Sequence, residues 1–200
     1  MREKIDCFLP CGSIEVTQQI VAQLRGSKSI QRIFLLVSEP LSGEAADSFK
    51  DCQQVKAGNL TSSETLKHIA EQAKADYVLL QTKPNQLEIG LGALDRLVRV
   101  AFDADAAMVY ADHFDIIEGE RKPHPVIDYQ LGSIRDDFDF GSLILVKTPL
   151  LQAFAAQAEE HPYQHAGLYA LRLFLSRNGR IFHINEKLYT EEETDTRARS

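Results

Sequence analysis

Residues 30–38 read IQRIFLLVS, a near-continuous apolar run that stops in the turn-rich segment EPLSGE. A strand with one face in water alternates apolar and polar residues. A run without alternation is the pattern of a strand covered on both faces, as in parallel sheets. Helices must supply the covers, and the flanking sequence provides them. Before the run, IDCFLP ends at Pro10, CGS follows as a loop, and Ile14, Ile20, Val21 and Leu24 recur at helical spacing as far as Gly26. After it, QQVKAG reads as a short third strand. Ser62, Ser63 and Glu64 make a helix start, Leu66, Ile69, Ala70 and Ala73 its apolar stripe, and ADYVLL the next strand. Strands and helices therefore alternate over the first 83 residues. This order predicts an α/β fold: a doubly wound, mostly parallel sheet with helices on both faces.

The second half is less regular. LGALDRLVRVAFDAD carries Leu94, Leu97, Val98 and Ala101 along one stripe, and AAMVYADHFDIIEG reads as a strand pair continuing to PVIDYQ across the loop GERKPH. DFDFGSLILVK supplies a strand after an acidic loop, and TPLLQAFAAQAEE a helix with proline near its first turn. A last helix, AGLYALRLFLSRNG, ends at Asn178-Gly179 before the short strand RIFHI. Two hundred residues suit a single core. Residues 1–190 are read as one domain and 191–200, EEETDTRARS, as a polar tail that starts an interdomain connection.

A net charge of −7 and a pI near 5.4, with no basic stripe, argue against a nucleic-acid partner, because phosphate backbones reward clustered Lys and Arg. Cys7, Cys11 and Cys52 are an odd set without metal-binding spacing, which fits a reducing cytoplasm. No cleavage pattern or run of about 18 apolar residues marks a signal peptide or a transmembrane helix. Peripheral attachment at the inner face of a membrane stays open.

In open α/β sheets, ligands sit beyond the carboxyl ends of the strands, here the loops after Pro10, Ser38, Gly58 and Leu80. The chain contains no GxGxxG after a strand, no phosphate loop, no HExxH and no paired CxxC, and its six histidines are scattered. The acidic loop RDDFDF, with Asp136, Asp137 and Asp139, reads either as a metal or base site or as a hydrated connection.

Taken together, the strand ending in Pro10, the strand ending in VSEPLSG, the helix leading to ADYVLLQTK, and the late segment QHAGLYALRLFLSRNGRIFHINEKLY resemble family 2 glycosyltransferases, which have the nucleotide-sugar-binding GT-A fold. The resemblance spans roughly residues 4 to 190. It implies nucleotide-sugar contacts at Pro10 and the following Gly12, and at Ser38 and Glu39, of which only Glu39 matches the family's two acids. Leu171, Arg172 and Leu173 match its LRL helix, and Tyr110 and Asp112 echo a YxD, which adds Asp112 to the implied nucleotide-sugar contacts. The metal-holding DxD falls on Gln81, Thr82 and Lys83, and the catalytic ED pair on His165 and Ala166. Neither pair of acids is present.

What the resemblance implies is a sugar transferred from a nucleoside-diphosphate donor to a glycan or cell-surface polysaccharide acceptor, as in bacterial polysaccharide assembly, with a second glycosyltransferase domain following this one. With no DxD, no bound metal is expected: the Lys83 ammonium would meet the diphosphate, with hydrogen bonds from Gln81. His165 and Asp139 are the candidate bases, since an inverting transfer needs an acceptor for the hydroxyl proton. Two other readings stand beside it. One is a non-catalytic GT-A-like domain that binds nucleotide, glycan or a neighbouring catalytic domain; the other is a nucleotidyltransferase on a related sheet.

Overall fold

The computed structural model describes residues 3–130, 138–160 and 162–192, and within them nine strands form one sheet. Its first half follows the expected alternation: β1 (Ile5–Pro10), α1 (Ile14–Arg25), β2 (Ile30–Val37), β3 (Gln53–Lys56), α3 (Ser63–Gln72) and β4 (Tyr77–Gln81), with a short α2 (Gly43–Ser48) in the turn-rich segment after β2. Local chemistry sets the helix starts. Ser13 and Ser62 sit in extended backbone and accept hydrogen bonds from the Val16 and Thr65 amides, which no earlier turn of helix can satisfy.

Then come β5 (Leu87–Ile89), α4 (Ala93–Asp103), β6 (Ala106–Ile117), β7 (Glu120–His124), β8 (Leu143–Lys147), α5 (Thr148–Ala158), α6 (Gly167–Asn178) and β9 (Arg180–Glu192). The strand order is β3-β2-β1-β4-β8-β6-β9-β5, with β7 paired to β6. Strands β3, β2, β1, β4, β6 and β9 run in one direction, while β8, β5 and β7 oppose them, so the sheet is mostly parallel.

Both faces are covered. On one, Ile20, Val21 and Leu24 of α1 and Leu94, Leu97 and Val98 of α4 pack on Cys7, Leu9, Leu79 and Val109. On the other, Leu66 and Ile69 of α3, Leu151 and Phe154 of α5, and Leu168 and Leu171 of α6 pack on Phe8, Leu80, Tyr110 and Val146. Each fully buried Leu or Ile contributes about 1.5–3 kcal/mol, and a strand covered on both faces contributes through every residue. This is why IQRIFLLVS shows no alternation. The three cysteines are free, with Cys7 buried.

Three expectations need correction. PVIDYQ is not a strand: β6 is one uninterrupted strand, and its partner β7 turns back at Glu118 and Gly119, not across GERKPH. Both turn residues have positive φ, 54° and 81°, the backbone of a tight two-residue hairpin. RIFHI does not stop at Ile184. The ladder passes from Ala111↔Ile184 to Asp112↔Lys187 and then to His113↔Tyr189, so Asn185 and Glu186 bulge out, Leu188 is skipped in turn, and β9 resumes to Glu192. The bulge breaks the sequence periodicity and hides the rest of the strand. Glu191 and Glu192 thus belong to β9, not to the polar tail.

Candidate functional site

The carboxyl edge of the parallel strands gathers most of the expected residues. The loops after β1 and β4 touch: a Cβ on Gly12 would lie 3.2 Å from the Pro84 carbonyl oxygen. The Cys11 amide donates to the Leu36 carbonyl, which ties the β1 loop to the end of β2, and Ser38 and Glu39 follow there, both exposed. Gln81 is buried. Its Nε2 donates to the Asn85 carbonyl at 2.9 Å, so its carboxamide closes the turn that follows β4, and its Oε1 has no partner. Asn85 in turn donates to Ser142 Oγ at the start of β8. Lys83, in the same turn, is partly exposed, and its Nζ lies 3.6 Å from Glu191 Oε1. Gln81, Thr82 and Lys83 offer no carboxylate, so a divalent cation has no anchor in this turn.

Glu191 opens onto a cluster that sequence reasoning missed. His113 Nε2 is 3.7 Å from Glu191 Oε1 and 3.3 Å from Asp115 Oδ1. Asp115 Oδ2 is 2.5 Å from His124 Nδ1, and His124 Nε2 is 3.1 Å from Asp139 Oδ2. A connected series of polar groups therefore runs from Lys83 to Asp139. The imidazoles of His113 and His124 stack at 4.4 Å, and His113 stacks on Tyr189 at 5.0 Å. Tyr189 Oη accepts from the Ser142 amide. Gly141 has φ +72°, and a Cβ there would lie 2.0 Å from Tyr189 Oη, so glycine is what lets this loop pass the tyrosine. Its amide donates to Asp139 Oδ1 at 2.8 Å and holds that carboxylate at the cluster.

A signal for the cluster was present. His113 and Asp115 are two apart on a strand and share a face. With the turn at Glu118 and Gly119, register pairs Ile117 with Glu120 and therefore His113 with His124. Placing the turn in GERKPH lost that pairing. Glu191 carried no such signal, because β9 reaches it only after the bulge.

The two histidines titrate in opposite directions. Burial pushes His113 below the usual histidine value, against the opposing charge of Glu191. Burial also pushes His124 down, but its hydrogen bond to Asp115, with the charges of Asp115, Asp139 and Glu191, carries it above the usual value.

The remaining expected residues sit elsewhere. Asp112 is buried and accepts from the Val126 amide at 2.9 Å and pairs with His183 Nε2 at 2.8 Å, so its carboxylate ties β6 to β9 and to the segment after β7. His165 is exposed in the α5–α6 loop, where Gly167 lies against the start of α3. Arg172 packs over Phe140, and burial lowers its guanidinium to about 10. Arg135, Asp136 and Asp137 and the tail from residue 193 lie outside the described residues. No described helix is long and apolar enough to cross a membrane.

No protein-family model and no curated protein matches the sequence. Solved structures do. Residues 1–349 of S. aureus TarS in complex with UDP-GlcNAc superpose with a TM-score of 0.65 at 10% identity, over 96% of this chain and 59% of that one. Mannosyl-3-phosphoglycerate synthase from Rubrobacter xylanophilus gives 0.57 at 8% identity, over 98% and 69%. A 4-diphosphocytidyl-2C-methyl-D-erythritol synthase gives 0.56 at 13% identity, over 94% and 91%. The chain thus spans about 60% of the TarS structures it matches. At these identities the likeness concerns the fold, which is GT-A-like.

Proposed function

We propose that the chain is a glycosyltransferase domain that takes a sugar from a nucleoside-diphosphate donor and passes it to a glycan or cell-surface polysaccharide acceptor, without a metal bound in the turn after β4. One observation carries this reading. In a GT-A-like sheet, the partly exposed Lys83 stands at the carboxyl end of β4, among the loops of Pro10, Gly12, Ser38 and Glu39. Its ammonium can neutralise a departing diphosphate as the glycosidic bond breaks.

In the transfer, the acceptor hydroxyl oxygen bonds to the anomeric carbon, the bond from that carbon to the diphosphate oxygen breaks, and the diphosphate leaves with the electron pair. The hydroxyl proton goes to a base. Asp139 suits that role best: it is partly exposed, held by the Gly141 amide, and joined to Lys83 through the cluster. His165 is the alternative base, in the loop before α6. Gln81 shapes the turn through its hydrogen bond to the Asn85 carbonyl.

The test is a thermal-shift screen with UDP-, GDP- and dTDP-sugars and, separately, CTP, followed by turnover assays with the donor that binds. Binding to the folded state raises apparent stability by about 2.7 kcal/mol at a hundredfold excess over Kd. A selective shift supports the proposal. No shift with any donor refutes it and leaves a non-catalytic domain. A shift with CTP alone would favour nucleotidyl transfer, a reading suggested by the near full-length overlap with 4-diphosphocytidyl-2C-methyl-D-erythritol synthase.

A further inference from the structure

A cavity of about 600 Å³ between the end of α1 and the turn into α4 is lined by Gln23, Lys28, Gly90 and Asp95 and shares no residue with the cluster described above. The chemistry is concentrated in the cluster. We infer that His113, Asp115 and His124, with Glu191 beside them, form the binding site of one divalent transition-metal cation.

Three observations converge on this. First, one ligand atom from each of His113, Asp115 and His124 lies within 4.8 Å of the others. Ligands held about 2.0–2.2 Å from one ion stand roughly 3–4 Å apart, so small side-chain rotations close the shell. The separations of 3.3 Å from His113 Nε2 to Asp115 Oδ1 and 3.7 Å to Glu191 Oε1 are already in that range. Second, Asp115 Oδ1 and Glu191 Oε2 are buried without a hydrogen-bond partner, on residues that are each 5% exposed. Buried carboxylate oxygens are costly unless paired, and a cation among them removes that cost. Third, the site is closed on one side and open on the other. His113 is 1% exposed, whereas the His124 and Asp139 side chains are 34% and 44% exposed. An open side admits the ion and leaves positions for water or an incoming ligand.

The donor set decides the class of metal. Two imidazoles with carboxylates suit Zn²⁺, Mn²⁺ or Fe²⁺, while Mg²⁺ and Ca²⁺ take oxygen ligands. The ligands come from β6, β7 and β9, not from the turn after β4. On the transferase reading, the cation and Lys83, which share Glu191, would set two positive groups at the edge that meets the diphosphate. The cation site itself does not depend on that reading.

The test uses the full, tag-free chain stripped with chelator and titrated calorimetrically with Mn²⁺ and Zn²⁺, with visible absorption on Co²⁺ addition as a second readout. One equivalent is expected to bind, with cobalt bands in the visible. Loss of even an outer partner costs about 10–100-fold in metal affinity, so His124→Ala and Asp115→Asn should each weaken binding by at least about tenfold. Asp115→Asn keeps the side-chain shape and carries the test if circular dichroism shows that His124→Ala disturbs the hairpin. Absence of binding by the native chain, or binding undiminished in both variants, overturns the site. Adding the sugar nucleotides with and without metal separates the two proposals: metal binding without donor binding sinks only the transferase reading, and donor binding without metal binding sinks only the cation site.

Discussion

Asp6 is fully buried in β1, yet its carboxylate accepts from four donors: Arg32 Nε at 3.0 Å, Arg32 Nη2, and the amides of Lys74 and Ala75 at 2.8 and 2.9 Å. It therefore joins β1, β2 and the turn from α3 into β4. Asp6→Ala strands the buried Ala75 amide, exposes the Lys74 amide to partial hydration only, and removes the counter-ion of Arg32. An unsatisfied buried group costs about 1–3 kcal/mol, and removing one partner of a buried ion pair about 3–5 kcal/mol, so we expect a loss of about 3–5 kcal/mol. Arg32 is partly exposed and retains the Gln72 carbonyl at 3.1 Å, which keeps the cost from rising further. Asp6→Asn can keep its carbonyl on the two amides, but its NH₂ then faces the Arg32 Nε–H donor to donor, and that bond is lost. It forfeits essentially one charge-assisted bond, about 1.5–3 kcal/mol. Arg32→Met leaves a buried carboxylate with two amide donors and should approach the alanine variant. For a chain of this size, about 2–4 °C accompanies each kcal/mol, so Asp6→Ala should melt roughly 6–20 °C lower. Urea unfolding followed by circular dichroism gives the numbers, with an unchanged m-value. If Asp6→Ala costs under about 1 kcal/mol, or Asp6→Asn is as damaging as Asp6→Ala, the carboxylate is not organising these donors and the argument fails.

Other consequences are equally direct. A Cβ on Gly167 would lie 2.6 Å from the Ser63 amide nitrogen and 2.7 Å from the Thr61 carbonyl oxygen, so Gly167→Ala should push α6 off α3 and cost about 1–3 kcal/mol. An unchanged urea midpoint would contradict that packing. On the proposed transferase reading, Lys83→Met should weaken donor binding about 10- to 150-fold, the equivalent of one charge-assisted hydrogen bond, and a titration giving the native Kd would remove Lys83 from the proposed site. Tyr110 Oη donates to the Ile127 carbonyl at 2.7 Å and accepts from the Tyr129 amide at 2.8 Å, and burial raises its ionisation well above the ordinary 10.0. The folded chain thus keeps a proton that the unfolded chain loses. This share of stability is complete below pH 10.0 and falls as the pH rises beyond it. Tyrosinate absorbance should stop short of all six tyrosines until the circular dichroism of the fold is lost; full ionisation in the folded protein would refute it.

The α/β architecture was legible because its signals are local. Helical stripes such as Leu94, Leu97 and Val98 and two-sided apolar runs such as IQRIFLLVS report a period and a degree of burial within a dozen residues. Lys83 was legible for the same reason, as the polar end of a buried strand. The loops of Pro10, Ser38 and Leu80 followed from topology, since parallel strands must deliver their ends to one edge.

The cluster of His113, Asp115, His124 and Glu191 was of another kind. Its members come from three strands, and Glu191 is far along the chain from the others. Only the turn at Glu118 and Gly119 brings His124 across from His113, and only the register after two irregularities in β9, at Asn185 and Glu186 and again at Leu188, sets Glu191 beside them. Composition and spacing carry no information on either event. A hairpin register depends on which two residues take positive φ, and a bulge on how a long strand fits its neighbour's twist. Sequence alone determined the layers, the cores of the strands and the edge to which the parallel strands deliver their ends. Tertiary pairing decided which charged side chains stand at that edge, because a one-residue slip in register sends each of them to the opposite face.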